Sequence, residues 1–275
     1  MVADNPYQLH LLNHIKGWRN HPARKACYLT ELWPKSFDCK HLVYEPFQDY
    51  DHIFVGLSHA VPVLKEKLGV SCSYLPVGVD TDMFSQTNSN HDRPIDIAYI
   101  GRRVESVHEE LLELCDEDNL FYFYDTASKL RVDDHAQHRR LYADILKRSK
   151  CAIAFPAKMN LDGYTKCAAE IGWRYYEFAA AGSMILGKAP DNEFFNTYFG
   201  WKDSVIDIGD DNLRTVVNEL LSDQVRQKEI AQNNRVQSML KNDWVYRWLE
   251  ILNRFSIQPS EATLARVDRL QLAAS

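Results

Sequence analysis

Gly172-Trp173-Arg174-Tyr175-Tyr176-Glu177-Phe178-Ala179-Ala180-Ala181-Gly182-Ser183-Met184-Ile185-Leu186-Gly187 is the stretch on which the reading of the fold turns. It follows an apolar run, Cys151-Ala152-Ile153-Ala154-Phe155, that reads as a buried strand, and a loop opening at Pro156. The chain then becomes helical, stops at Gly182 and re-enters a core as Met184-Ile185-Leu186. Strand, loop, helix start and strand again is how an open α/β sheet builds a ligand crevice at the carboxyl ends of its strands. A helix N-terminus there presents N–H groups and a positive dipole end to an anion. Arg174 adds a planar cationic fork, and Glu177 lies one turn further in. The stretch reads as a nucleoside-diphosphate site.

Outward from it, strands alternate with helical patterns. Ile95–Ile100 reads as a buried strand ending in Gly101-Arg102-Arg103, with a helix over Glu105–Leu114. A strand at Leu120–Tyr124 and a helix at Gln137–Arg148 lead into Cys151–Phe155. Beyond Gly187 come a strand at Val205–Ile208, helices at Leu213–Leu221 (begun by Asp210-Asp211) and Val225–Leu240, and a last one at Trp244–Phe255. That alternation predicts a parallel sheet wrapped by helices.

The front of the chain is thinner. A helix is expected around Tyr7–Trp18, strands at Lys25–Leu32 and His41–Tyr44, and a buried strand over Asp51–Ser58. Ser58 is expected to cap a helix His59–Leu68 that stops at Gly69, and Cys72–Leu75 reads as a further strand. Pro76-Val77-Gly78-Val79-Asp80-Thr81-Asp82-Met83-Phe84 and the polar run Ser85–Pro94 follow. The run reads as a linker, so residues 1–85, 86–255 and a tail 256–275 are expected to be separate segments. The tail is either a short amphipathic helix or disordered.

Bulk composition narrows the function classes. The 275 residues are 45% hydrophobic, 25% charged and 12% aromatic, with a net charge of -6. That balance argues against a general nucleic-acid binder, which needs a basic face, and leaves room for a local basic pocket. Cys27, Cys39, Cys72, Cys115, Cys151 and Cys167 form no CxxC pair and no metal-ligand spacing, so they read as structural thiols in a reducing compartment. With no signal peptide and no apolar run of ~18 residues, the expectation is a cytoplasmic protein. No P-loop, Gly-x-Ser-x-Gly or His-Glu-x-x-His occurs.

Several residues carry candidate chemistry. Gly101 lets a backbone approach a ligand closely, and Arg102 and Arg103 suit a phosphate; the alternative is a solvated basic turn. Glu177 suits a ribose diol, or an intrahelical pair with Arg174. Glu170 suits a hydroxyl-rich ligand, or stabilises a helix start. Lys158 and Asn160 are rim candidates. Asp133-Asp134 and Asp210-Asp211 read as caps, and His135 and His138 as a polar helix surface; no metal site is expected.

With those residues in hand, the chain resembles the GT-B glycosyltransferases, in particular the retaining group that uses nucleoside-diphosphate sugars. Pro76–Phe84 is similar to that group's interdomain signature, Ile100-Gly101-Arg102 to the turn that opens its donor domain, and Glu177-Phe178-Ala179-Ala180-Ala181-Gly182 to the end of its donor motif. Arg174-Tyr175-Tyr176-Glu177 is closest to the branch named after a spore-maturation protein. The resemblance spans roughly residues 50–255. It implies an α/β fold with a complete C-terminal Rossmann-like donor domain and a truncated N-terminal Rossmann-like half-domain, in which either the acceptor site is minimal or a protein partner, a second subunit or a lost N-terminal segment completes it. It assigns the donor nucleotide to Gly101, Arg102, Arg103, Phe155, Pro156, Gly172, Trp173, Arg174, Tyr175 and Glu177. Glu170 and Lys158 fall to the donor sugar, although the family's sugar-holding glutamate would align with Ala169. The family's catalytic-site histidine often follows the strand that Lys25–Leu32 matches, so Glu31, near that place, is the expected catalytic residue.

The expected activity is metal-independent transfer of a sugar from a nucleotide sugar to an unknown acceptor, with no cofactor and no nucleic acid. The alternative is a non-catalytic nucleotide-sugar-binding or assembly subunit; an epimerase or phosphorylase on the same fold is a third reading.

Overall fold

The computed structural model of the chain describes residues 1–38, 41–85, 92–124, 133–209 and 212–275. Cys39, residues 86–91 of the polar run and the Asp210-Asp211 pair lie outside the described residues. The strands form two sheets, both parallel throughout. The chain divides into two units, each built from three stretches: Met1–Val77, Ala157–Ile171 and Arg247–Gln258 in the first, Gly78–Pro156, Gly172–Tyr246 and Pro259–Ser275 in the second.

The first unit carries β1 (Val2–Ala3), β2 (Ala26–Leu29), β3 (His52–Val55), α1 (Ala60–Leu68) and β4 (Cys72–Tyr74), with sheet order β1-β2-β3-β4. Register runs from Ala26 beside His52 to Leu29 beside Val55. All four residues of β3 are buried, the continuous apolar signature of a strand covered on both faces. Gly56 follows β3, and a Cβ there would press on the Thr30 carbonyl. Leu9, Leu29, Leu32, Phe47, Ile53, Val55 and Leu64 centre the core.

Two expectations for the elements of this unit are corrected. The helix expected at Tyr7–Trp18 is a 3-10 helix over Pro6–His14, with Asn5 accepting from Tyr7 N, and a short 3-10 turn at Trp18–Asn20. His41–Tyr44 is not a strand but the start of a 3-10 helix, His41–Asp49. Pro46 stands inside that segment and lacks the N–H that a sheet ladder requires. The two-residue β1 was not foreseen; it exists only through its pairing with β2.

The second unit contains α2 (Thr81–Phe84), β5 (Ile95–Tyr99), α3 (Glu105–Glu117), β6 (Tyr122–Tyr124), α4 (His135–Lys147) and β7 (Ser149–Ala154). The chain then visits the first unit, where α5 (Asp162–Thr165) lies. It returns as α6 (Trp173–Ala181), β8 (Met184–Gly187), α7 (Phe195–Phe199), β9 (Ile206–Asp207), α8 (Leu213–Ser222) and α9 (Gln224–Lys241). Helix α10 (Trp244–Arg254) passes back toward the first unit, and α11 (Glu261–Ala274) ends the chain. The 256–275 stretch is thus mostly helical, capped by the Ser260 hydroxyl, and α11 packs on α9.

Sheet order in this unit is β6-β5-β7-β8-β9. The first strand, β5, is interior, the second pairs on one side of it, and the third returns to the other. The direction of winding therefore reverses between β5 and β7, which opens a crevice at their carboxyl ends. Asp134 caps α4 through bonds to Ala136 N and Gln137 N. Gly182 ends α6 at φ 69° in the left-handed region, as a terminal glycine does. A nine-residue helix is marginal in water; α6 persists because Tyr175, Tyr176 and Phe178 are wholly buried, each contributing about 2 kcal/mol.

Candidate functional site

In the second unit the residues after β5 and β7 meet the start of α6. Gly101 stands just beyond β5 at φ 83°, a conformation favouring glycine. A Cβ at Gly101 would overlap the Arg174 guanidinium, so Arg174 lies across the glycine at the mouth of the crevice. Val104 N donates to the Tyr99 hydroxyl at 2.7 Å, folding the Gly101-Arg102-Arg103 turn back onto its own strand. Arg102 is exposed, and the Arg103 guanidinium sits 5.6 Å above the Tyr124 ring. Phe155 and Pro156 are half-buried at the end of β7.

Helix α6 begins at Gly172, whose extended backbone caps it with no side-chain hydrogen bond. The first turn thus offers N–H groups and the positive dipole end without a competing side chain. Trp173 is partly exposed and its ring lies 5.9 Å from that of Trp244. Tyr175 is fully buried, its hydroxyl donating to the Lys188 carbonyl. It therefore positions the helix and offers no face to a ligand.

Glu177 is 4% exposed. Its two oxygens are engaged by α4: Arg139 Nη1 at 2.5 Å from Oε1 and the Tyr142 hydroxyl at 2.9 Å from Oε2. Burial pushes its carboxyl above the ordinary carboxylate value, against the opposing pull of Arg139, Tyr142 and Arg174. The partner of Glu177 is thus Arg139 on the next helix, while Arg174, three residues away, reaches Gly101. Each carboxylate oxygen keeps a second lone pair, so Glu177 retains accepting capacity for a hydroxyl. Arg139 and Tyr142 were not foreseen: they are 38 and 35 residues away, and only the packing of α4 on α6 brings them together.

The remaining candidates fall in the first unit. Glu31, just past β2, accepts from Trp33 Nε1 at 3.2 Å and from Lys158 Nζ at 2.5 Å. The Lys158 ammonium also lies 4.8 Å from the Trp33 ring and 4.5 Å from that of Tyr164. Glu170 is 1% exposed and does not start α6. Its Oε1 accepts from Ser58 Oγ, His59 N and His59 Nδ1 at 3.1, 3.0 and 2.6 Å.

The expected Ser58 cap is corrected accordingly. His59 stands at the N-cap of α1 with no side-chain cap bond, and the Ser58 hydroxyl serves Glu170 instead. The segment 157–171 carries Lys158, Lys166 and Cys167 with left-handed backbone, φ 57°, 49° and 65°. Such residues cost on the order of 1 kcal/mol each and gather where a site over-determines the chain. His59 was legible in principle, as the first imidazole after a buried strand.

Among the described residues no group of His, Cys, Asp and Glu side chains is placed to hold a metal ion, and no helix is long and apolar enough to cross a membrane. Burial pushes the Cys27 and Cys151 thiols up to about 12 and Cys115 up to about 11, which removes them as nucleophiles at neutral pH.

No family model matches the chain, and no curated protein matches it in sequence. Among solved structures the chain is similar to Anabaena Alr3699/HepE, which was crystallised in complex with UDP-glucose. The TM-score is 0.54 at 10% identity, over 93% of this chain and 78% of that one. At that identity the likeness is one of fold: an α/β chain with two parallel sheets.

Proposed function

We propose that this protein is a glycosyltransferase of the GT-B kind, moving a sugar from a nucleoside-diphosphate sugar to an acceptor. The observation that carries the reading is Arg174, laid across Gly101 at the β5/β7 crevice beside the uncapped start of α6. Departure of a diphosphate builds negative charge. Preorganised donors aimed at that charge stabilise the transition state without reorganising. Arg102, Arg174 and the first amides of α6 are the donors, so the reaction needs no metal ion. Glu177 accepts from the ribose hydroxyls with the lone pairs that Arg139 and Tyr142 leave. The fold likeness to a protein crystallised with UDP-glucose supports the reading.

Calorimetry with UDP, GDP and ADP tests it. One nucleoside diphosphate is expected to bind the wild-type protein, and Arg174→Ala to weaken it about 10- to 100-fold, the worth of a charge-assisted contact. Equal affinity in both proteins would overturn the site. Turnover is expected to survive EDTA unchanged.

A second reading, a nucleotide-sugar-binding subunit without turnover, is favoured by one observation. The carboxylate of Glu31, nearest the expected catalytic position, is already held by Lys158 and Trp33. Donor binding with no release of diphosphate would decide for it.

A further inference from the structure

At the end of the second unit's sheet away from the crevice, two arginines meet without a carboxylate to answer them. The strands are parallel, so β5, β7 and β8 all begin at that end, and α6 finishes there at Ala181. Arg93 Nη1 donates to the Ser149 carbonyl at 2.6 Å, and Nη2 to that of Ala181 at 2.7 Å. Arg235, on α9, reaches the same turn: its Nη1 stands 2.9 Å from the place a Cβ on Gly182 would take. Both arginines are half-buried. Burial, then the charge of Arg235, bring the Arg93 guanidinium down to about 10, and burial lowers Arg235 as well.

A structural explanation covers Arg93 and stops short of Arg235. A helix ends in carbonyls that need donors and in a negative dipole end that favours cations. On α6 the Phe178 carbonyl accepts from Ser183 N, that of Ala179 from Gly182 N, that of Ala180 from Ser85 Oγ, and that of Ala181 from Arg93. Every terminal carbonyl is thus supplied before Arg235 is counted. Among the described residues Arg235 makes no hydrogen bond or ion pair, and no carboxylate pairs with Arg93. Asp92, beside Arg93 in the sequence, is exposed, while Asp96 is taken by Lys150 at 2.6 Å and Asp144 by Lys147 at 2.7 Å. Arg148, also exposed, adds a further cation just before Ser149. Like charges held together, partly out of water and with no counter-ion, are unfavourable. A ligand of opposite charge removes that penalty.

We propose that Arg93 and Arg235 form a binding site for a phosphate group, separate from the crevice at the other end of α6. The ligand's class follows from charge and shape. A phosphate group carries close to two negative charges near neutral pH, which matches two guanidinium groups where a single carboxylate would leave one unanswered. Its oxygens accept the planar fork in a bidentate way. Arg93 keeps the hydrogens that its two carbonyl bonds do not use, and Arg235 keeps all of its own. The nine residues of α6 set this site about 13 Å from the first amides of that helix, so one anion cannot serve both. The phosphate is either free or borne on an organic monoester.

Calorimetry of the full chain with inorganic phosphate and with glycerol 3-phosphate, in chloride buffer, tests the site. The background is Arg174→Ala, which weakens the crevice for anions. That protein is expected to bind at least one of the two probes, and adding Arg235→Gln to weaken it at least ~10-fold. The tighter probe tells free phosphate from ester. Melting supplies a second reading: without phosphate, Arg235→Gln alone should melt no lower than wild type, since it has lost an unanswered charge. Failure of both probes to bind Arg174→Ala at millimolar concentration, or equal affinity with and without Arg235→Gln, would overturn the proposal. So would an Arg235→Gln protein that melts well below wild type in phosphate-free buffer, because Arg235 would then be answered within the fold.

Discussion

Gly101 shows how much can rest on the absence of a side chain. Its φ of 83° and the guanidinium above it leave no space for a methyl group. Gly101→Ala is expected to cost about 1–2 kcal/mol through the left-handed backbone, and also to push Arg174 off the crevice. Weakened nucleoside-diphosphate affinity in a protein whose melting shifts only by a few degrees checks this. His52 offers a second single-residue measurement. The Arg254 guanidinium donates to its Nδ1 at 3.1 Å, and its Nε2 lies 2.9 Å from Ser73 Oγ. Since arginine only donates, Nδ1 must stay unprotonated. Burial, then the charges of Arg254 and Lys65, hold this imidazole down at about 4, against an ordinary 6.5. The unfolded chain therefore takes up the proton first as pH falls. The contribution of neutral His52 to stability is complete above pH 6.5 and drains away between 6.5 and 4, at most about 3 kcal/mol. Urea unfolding at pH 7 and 4.5 should show a smaller pH difference for His52→Gln than for wild type.

Among the elements, α6 and α11 illustrate different kinds of support. Helix α6 is held by its apolar face and by the ion pair of buried Glu177 with half-exposed Arg139. Truncating one partner of such a pair leaves the other charge stranded. Arg139→Ala should thus destabilise by about 3 kcal/mol, read as a lowered urea midpoint. Helix α11 adds a charge network to its packing on α9. Arg266 donates to Asp243 at 2.9 and 2.8 Å and also to Asp80 and Asp82, and Arg269 adds two contacts to Asp82. Asp243 is completely buried, and burial alone would raise its carboxyl. Hydrogen bonds from Arg266, the Thr81 hydroxyl and the Val245 and Thr81 amides overrule that and lower it. The stabilisation it confers is therefore present above the ordinary carboxylate range and lost in acid. Arg266→Ala should cost about 3 kcal/mol at neutral pH and much less once Asp243 is protonated, a convergence that paired unfolding curves at pH 7 and 3 would reveal.

At the scale of the whole chain, what the residues disclosed in advance was what depends on neighbours in sequence. The strand–helix alternation of the second unit, the Gly172 start and Gly182 stop of α6, and the Asp134 cap all follow from local chemistry. The two-residue β1 and the 3-10 helix His41–Asp49 did not, because the one rests on pairing with β2 and the other on Tyr44 and Phe47 in the core, and neither on period. Nor did the partners of the two buried carboxylates: Arg139 for Glu177 and His59 for Glu170 stand far off in the sequence. Ser58 is instructive in this respect. Its position before a helix predicts a cap, yet the buried Glu170 carboxyl, 112 residues away, takes its hydroxyl instead.

The chain passes from one unit to the other after Val77, Pro156, Ile171, Tyr246 and Gln258. That interleaving has a practical corollary for anyone handling the gene. Neither half can be cloned as an uninterrupted fragment, and a protease nick inside 157–171 would sever a stretch of the first unit that the second unit's chain flanks on both sides. The two halves are expected to melt in one calorimetric transition, since each borrows its backbone from the other; two separate peaks would show that the borrowed stretches are dispensable.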